Sequence, residues 1–428
     1  MSDPTRSPPY LLICPTQRDQ RELARLGLGP DRLLTHAYAT DALERIAGAV
    51  GGTKEVVADP LDEIETILRK YRDQPLAGVI STDDYPGVTI ASVVASRRAL
   101  PGPAPAVNLL LQHKYHARNE QQRLTPEATP PFELLDPDRT DPPALDYPVF
   151  VKPVKSFFSI GAQIVSEPAE LIRLERDWQD KAAFFAPFER LLDRYSSLPM
   201  GGYLLIEKLL SGRQVTLEGY AYGDEIEIIG IVDSIFAPGT IAFERFEYPS
   251  SLASHVQAKM ANIAGRLMGG VGYRDGLFNM EMFYDPDSET VSIIEVNPRI
   301  ASQFADLYEK VDGYNSYQIL LDLASGRRPQ FAKAGGRHRF AASCVLRRFE
   351  DAIVTHIPTA DDILRVKNRH EDARVEVVVG EGRPLSEEMQ DGNSYRYGVI
   401  NLGGRDLADI QRSLAECRKL LDFQFAPV

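Results

Sequence analysis

The stretch Ile293-Ile294-Glu295-Val296-Asn297-Pro298-Arg299, preceded by Asn279-Met280-Glu281-Met282, decides how this chain is read. In an extended strand alternate side chains share one face, so Glu295 and Asn297 point the same way, and Glu281 reaches that face from a neighbouring strand. Two carboxylates and an amide oxygen make a hard, all-oxygen nest suited to a magnesium ion that bridges phosphates. Pro298 ends the strand and presents Arg299, whose planar fork fits a phosphoryl or acyl phosphate group. The plainer alternative is a pair of solvated strands closed by a turn, because Glu and Asn are common and a spacing of two is easily met.

Upstream, Tyr147-Pro148-Val149-Phe150-Val151-Lys152-Pro153 is an apolar strand ending in a lysine, whose stem is buried and whose ammonium is free to meet a phosphate. Lys155-Ser156-Phe157-Phe158-Ser159-Ile160-Gly161 follows as a loop whose backbone and hydroxyls, with Ser159 and Gly161 among them, are placed to wrap phosphates. Between this loop and Asn279 lies Tyr203-Leu204-Leu205-Ile206-Glu207-Lys208-Leu209-Leu210, an apolar strand that turns polar. Backbone groups from Glu207 through Lys208 to Leu209 can face an adenine edge, although an ordinary hairpin explains the segment equally well.

The rest of the chain gives these segments a frame. Short apolar runs at Tyr10 to Cys14, Leu33 to Ala39 and Leu76 to Ser81 alternate with helical patterns at Arg21 to Leu28, Asp41 to Val50 and Leu61 to Tyr71. That alternation predicts an open α/β unit with a parallel sheet over residues 1–110. A Pro- and Asp-rich stretch from Pro126 to Pro143 reads as a connection. Strands are predicted at Tyr203 to Glu207, Val215 to Tyr222, Glu225 to Asp233, Leu277 to Tyr284 and Val291 to Val296, with helices at Glu167 to Gln179 and Leu252 to Leu267. Consecutive strands of this kind predict antiparallel pairing in a central α+β unit, residues 111–330. The remainder, 331–428, is predicted as a small α+β subdomain with strands near Phe340 to Arg347, Val375 to Val379 and Tyr395 to Asn401. A Gly403-Gly404 pair then separates the last strand from a helix at Asp406 to Leu421.

In order and separation these pieces resemble the ATP-grasp superfamily, in its carboxylate-amine ligase and biotin-carboxylase-like branches. The resemblance implies an ATP-grasp fold of mixed α/β and α+β class, in which an N-terminal open α/β domain precedes the central ATP-binding domain and a small C-terminal closing subdomain. It places the first ATP lysine at Lys114, in His113-Lys114-Tyr115-His116-Ala117-Arg118, the phosphate lysine at Lys152 and the acid of the adenine hinge at Glu207. The magnesium ligands fall on Glu281, Glu295 and Asn297, and Arg299 stands beside the transferred phosphate. The implied cofactors are ATP and one or two Mg2+ ions, with Mn2+ as a substitute. The implied reaction activates a carboxylate as an acyl phosphate and joins it to an amine, releasing ADP and phosphate. A carboxylating enzyme that activates bicarbonate and a nucleotide-binding protein without turnover are the alternatives. Relatives often place substrate contacts where Glu218 and Arg245 stand, Arg245 in the Phe243 to Pro249 segment read as a loop before a helix. Two features depart from the family: Phe157-Phe158 replaces a glycine-rich lid, and Ile300 to Asp306 lacks the glycine pair common after the arginine.

The bulk properties agree with small-molecule partners, a carboxylate and an amine. A formal net charge of -13 disfavours attraction to nucleic acid or anionic lipid. No stretch approaches the roughly 20 apolar residues that a membrane helix needs. Cys14, Cys344 and Cys417 are too scattered for a zinc site or redox pair, so a reduced, cytoplasmic protein is expected, with a homodimer as an assembly open to it. His113 and His116, beside Lys114, are expected to serve surface or capping roles rather than catalysis.

Overall fold

The computed structural model describes residues 7–38, 59–135, 143–156, 161–179, 182–240, 242–387 and 394–428. The predicted helix at Asp41 to Val50, Ser159 and the Phe157-Phe158 pair lie outside the described residues. The N-terminal sheet has the order β2-β1-β3, with β1 (Tyr10–Ile13) paired in parallel to both β2 (Leu33–His36) and β3 (Gly78–Ile80). All four residues of β1 are buried, as a parallel strand covered on both faces requires. Leu11 and Ile13 enter one apolar cluster while Tyr10 and Leu12 enter another, so alternation along a single strand joins two cores. Thr16 caps the following helix, Gln17–Arg25, through a reciprocal capping box with Asp19.

A second sheet has the order β4-β7-β5-β6, built from Phe132–Leu135, Leu204–Lys208, Val149–Pro153 and Gln163–Val165, all antiparallel. Its first strand falls inside the stretch from Pro126 to Pro143 that reads as a mere connection. The mainly apolar Phe132-Glu133-Leu134-Leu135 run overrides the prolines around it by pairing with β7.

The third sheet is the largest, with eight strands in the order β12-β11-β8-β9-β10-β13-β16-β15. In that order they are Thr290–Asn297, Gly276–Asp285, Arg213–Tyr222, Glu225–Phe236, Phe243–Tyr248, Phe340–Arg348, Tyr395–Gly404 and Arg374–Val377. Strands from beyond residue 330 therefore continue the same sheet, and the division expected there marks no break in the hydrogen-bonded ladder. Phe243–Tyr248, expected as loop, is an internal strand because its aromatic and charged residues alternate against β9 and β13. Gly403 and Gly404 close β16 rather than separating it from the helix, since each pairs with β13 at Ala341 and Phe340. One face of the sheet packs on the helix Ser254–Gly270: Val215, Leu217, Met280, Met282 and Ile293 meet Met260, Ile263 and Leu267. The polar residues between them are thereby turned to the opposite face.

Candidate active site

Register places the acidic residues. Glu281 lies directly opposite Glu295 and Asn279 opposite Asn297, while on the other side Thr216 and Glu218 of β8 face Glu281 and Asn279. All six side chains therefore share the face away from the Ser254–Gly270 helix. Past Glu281 the register shifts, so that Met282 pairs with Ile293 and Ile294 is the extra residue of a bulge. The carbonyl that the bulge turns out of the ladder is used: Ile294 O accepts from Arg118 Nη2 at 2.7 Å and from Lys152 Nζ at 3.2 Å.

Arg118 and Lys152 also share Glu207. Arg118 Nε lies 2.5 Å from Glu207 Oε1 and Lys152 Nζ 2.7 Å from Glu207 Oε2, and all three side chains are buried. Burial alone would raise the Glu207 carboxyl, but the two cations hold it below the usual carboxylate range. Burial lowers Lys152, with Glu207 opposing it. The Glu207 side chain, placed by resemblance at an adenine hinge, thus points inward as the hub of a buried ion triad. Lys208 N–H is committed to Pro131 O at 3.0 Å and its side chain is exposed, while Leu209 lies just past the strand.

Lys114 and Arg118 occupy positions i and i+4 of the helix Lys114–Leu124 and so project from one face of it. Lys114 Nζ lies 3.6 Å from Glu295 Oε2, and its backbone N–H donates to Val154 O at 2.8 Å, which ties the helix start to the segment after β5. Arg118 escaped the sequence reading, although its four-residue spacing from Lys114 was the available signal. His113 caps this helix through its ring, and burial holds it down at about 3, hence neutral. Gly161 takes a φ of 76°, a conformation that favours glycine.

Two half-buried carboxylates facing each other cannot both ionise cheaply. Burial and then the neighbouring Glu295 push Glu281 up, whereas Lys114 and Lys152 overcome burial to hold Glu295 down. Gln214 Nε2 donates to Glu281 Oε2 at 3.0 Å. Asn297 Nδ2 donates to Asn279 Oδ1 at 3.0 Å, and Asn279 Nδ2 to Arg299 O at 3.1 Å. Asn279 therefore fixes the amide of Asn297 with its oxygen free. Among the described residues no group of three or more His, Cys, Asp or Glu gathers to hold a metal, so the available donor set is two carboxylates and an amide. That set fits magnesium: its oxygens are hard, and a divalent charge would remove the repulsion between the facing acids.

Arg299 receives a partner from the N-terminal unit. The loop after β3 carries Asp84, whose Oδ1 lies 3.6 Å from Arg299 Nε. Nothing in the sequence links residue 84 to residue 299; the C-terminal end of a parallel strand was the signal, since loops there line ligand sites in open α/β sheets. The two residues assigned to substrate stand differently. Arg245 pairs with Ile235 and Cys344 and so lies on the face opposite Glu281, held by Glu247 at 2.5 Å and Glu244 at 2.8 Å. Arg245 therefore does not reach the face that carries Glu281 and Glu295.

Glu218 lies on the site face but is wholly buried, and its Oε1 accepts from Ala301 N at 2.9 Å. It pins the turn that follows Arg299. Burial raises the Glu218 carboxyl from 4.5 to about 8, opposed by the Ala301 N–H. The folded protein thus keeps a proton that the unfolded chain releases, and stability falls as pH climbs from the unfolded value through the folded one. Glu218→Gln has no proton to lose there. Thermal melting at about pH 5 and about pH 9 should show its midpoint gaining on the wild type as pH rises, by the equivalent of a few kcal/mol; parallel curves would place the proton elsewhere.

Residues 145–306 match the family model described as an ATP-grasp domain. Solved structures agree along nearly the whole chain. An L-amino acid ligase from Bacillus licheniformis superposes with a TM-score of 0.74 at 16% identity, covering 98% of this chain and 99% of that one. Phosphoribosylglycinamide synthetase from Anaerococcus prevotii gives a TM-score of 0.64 at 14% identity, with 98% and 100% covered. Biotin carboxylase from Campylobacter jejuni gives 0.64 at 14% identity, with 98% and 92% covered. No curated protein matches the chain in sequence.

Proposed function

We propose, for a chain that has the ATP-grasp fold and carries an ATP-grasp domain over residues 145–306, that it is an ADP-forming ligase joining a small carboxylic acid or amino acid to an amine. The observation that supports this reading is the facing of Glu281 and Glu295 on adjacent strands, with Lys114, Lys152 and Arg299 gathered on them.

In this reading Glu281, Glu295 and Asn297 hold magnesium, which when bound supplies the charge that grips and polarises the phosphates of ATP. Lys114, Lys152 and Arg299 spread the charge that develops as the terminal phosphoryl passes to a carboxylate oxygen of the substrate and ADP leaves. The amine then attacks the acyl carbon, loses a proton, and phosphate departs. Adenine would meet the Glu207–Leu209 hinge through groups other than the Lys208 N–H, which Pro131 O already holds, and Gly161 would stand with the residues that wrap the phosphates. Little covalent chemistry falls to the protein, so positioning and water exclusion do most of the work.

The test is ADP release from magnesium and ATP across a panel of amino acids, alone and in pairs. Turnover that requires an acid and an amine together is the expected result. Turnover that requires bicarbonate and no amine would replace ligation by carboxylation, and the absence of any acid-dependent turnover would leave a nucleotide-binding protein.

A further inference from the structure

A cavity of about 690 Å³ opens where β10 leaves β9, and none of Lys114, Lys152, Glu281, Glu295 or Arg299 lines it. The two strands pair from Phe243 to Glu247, and Ser250 N donates once more, to Ile231 O at 3.0 Å. Ahead of Ile231 that edge of β9 has no strand beside it among the described residues. Residues 333–339 line the other side of the gap. Gly335 N donates to Asp312 O at 3.2 Å, Gly336 N to Val311 O at 3.0 Å and His338 N to Lys310 O at 2.9 Å, which lays this segment along the end of the helix Ala305–Asp312. Gly336 permits the close approach, because a Cβ there would collide with Lys310 O.

The charge left over in the cavity is of one sign. Its single carboxylate, Asp312, is buried and spoken for: Tyr248 Oη donates to it at 2.5 Å, Ala334 N at 2.9 Å and Lys333 Nζ at 3.1 Å. Lys333 also donates to Tyr248 Oη at 2.9 Å and to Ile229 O, so its ammonium is a fixed part of the wall and cancels the acid. His338 Nε2 lies 2.6 Å from Asp372 Oδ2. Arg337 and Arg339 remain. Arg337 meets Glu371 only at 3.5 Å, with the two side chains 76% and 88% exposed, a pairing that water screens. Arg339 is exposed and forms no ion pair among the described residues. In a chain of net charge -13, two guanidinium groups thus share one cavity without an acid of their own.

We propose that this cavity binds a small organic anion, its apolar body against Ile228, Val311, Ala258 and Ala261 and its carboxylate or phosphate head held by Arg337 and Arg339. The volume suits one small molecule, since ligand pockets run to roughly 300–1,000 Å³. The two alanines, on the helix Ser254–Gly270, leave that space open where longer side chains would fill it. A guanidinium offers a planar fork of donors that fits either oxyanion. A cationic ligand would be rejected by the two arginines, and a neutral one would leave their charge unanswered. The site stands apart from the ligation scheme, so it holds whether or not that reading does.

Fluorescence titration of the full chain with anilinonaphthalene sulfonate, magnesium and ADP present, tests this against phenylnaphthylamine, which has the same rings without the charge. The wild type should bind the sulfonate about tenfold or more tightly than the neutral amine. Replacing both arginines, Arg337→Ala with Arg339→Ala, should erase that preference. Ala258→Phe should fill the cavity and weaken both probes alike. All three positions are exposed, so both variants should melt like the wild type. Phenyl phosphate and benzoate then compete for the site, and the one that displaces the sulfonate at lower concentration identifies the head group. Equal binding of the two probes by the wild type, a preference undiminished in the double variant, or a titration unchanged by Ala258→Phe overturns the proposal.

Discussion

Glu295→Ala should abolish ADP release while leaving the fold in place. The side chain it removes is one of two carboxylates in the proposed magnesium site and lies 3.6 Å from Lys114 Nζ, so the variant loses an ion ligand and the anchor of a phosphate-facing lysine at once. Removing a group of this kind costs about a thousandfold in turnover, near 4 kcal/mol. Stability should behave differently, because Glu281 is pushed up partly by the Glu295 charge and is relieved when that charge goes. Steady-state turnover and a thermal melt on the same preparation separate the two effects. Turnover at the wild-type rate would remove the metal assignment, and a collapsed melt would show that Glu295 is structural.

The second large effect is expected at Glu207→Ala. Arg118 and Lys152 are both buried and both neutralised by this one carboxylate, so its removal leaves two positive charges facing each other in the protein interior. Breaking a buried ion pair by deleting one partner costs about 3–5 kcal/mol, because the survivor stays desolvated and uncompensated. Glu207→Gln, which preserves shape and hydrogen-bonding capacity, should lose less. Since Lys152 would be released from its fixed position, nucleotide binding should weaken along with the melting midpoint. A Glu207→Ala protein that melts like the wild type would mean that the triad contributes no net stability.

The site was legible in sequence wherever the information is local. Alternation along Glu295-Val296-Asn297 sets a shared face without reference to any other part of the chain, and the short apolar runs of the N-terminal part mark its parallel strands for the same reason. Arg245 shows the limit: its charge and its place before a helix suggested a ligand contact, but face is decided by register with β9 and β13, which the segment itself does not encode.

What the amino-acid sequence determined by itself is most of the elements, though not the strands Phe132–Leu135 and Phe243–Tyr248, and the chemistry they carry: the strand-end Lys152, the helical Lys114, and the acids at Glu281 and Glu295. Tertiary structure alone decided which of these meet. It opened a bulge at Ile294 to bring Glu295 opposite Glu281, turned Glu207 inward to hold Arg118 and Lys152, and carried Asp84 from the N-terminal sheet to Arg299. The reason is physical: secondary structure follows from periodicity over a few residues, whereas a buried ion pair joins groups 89 positions apart and forms only after the chain has packed.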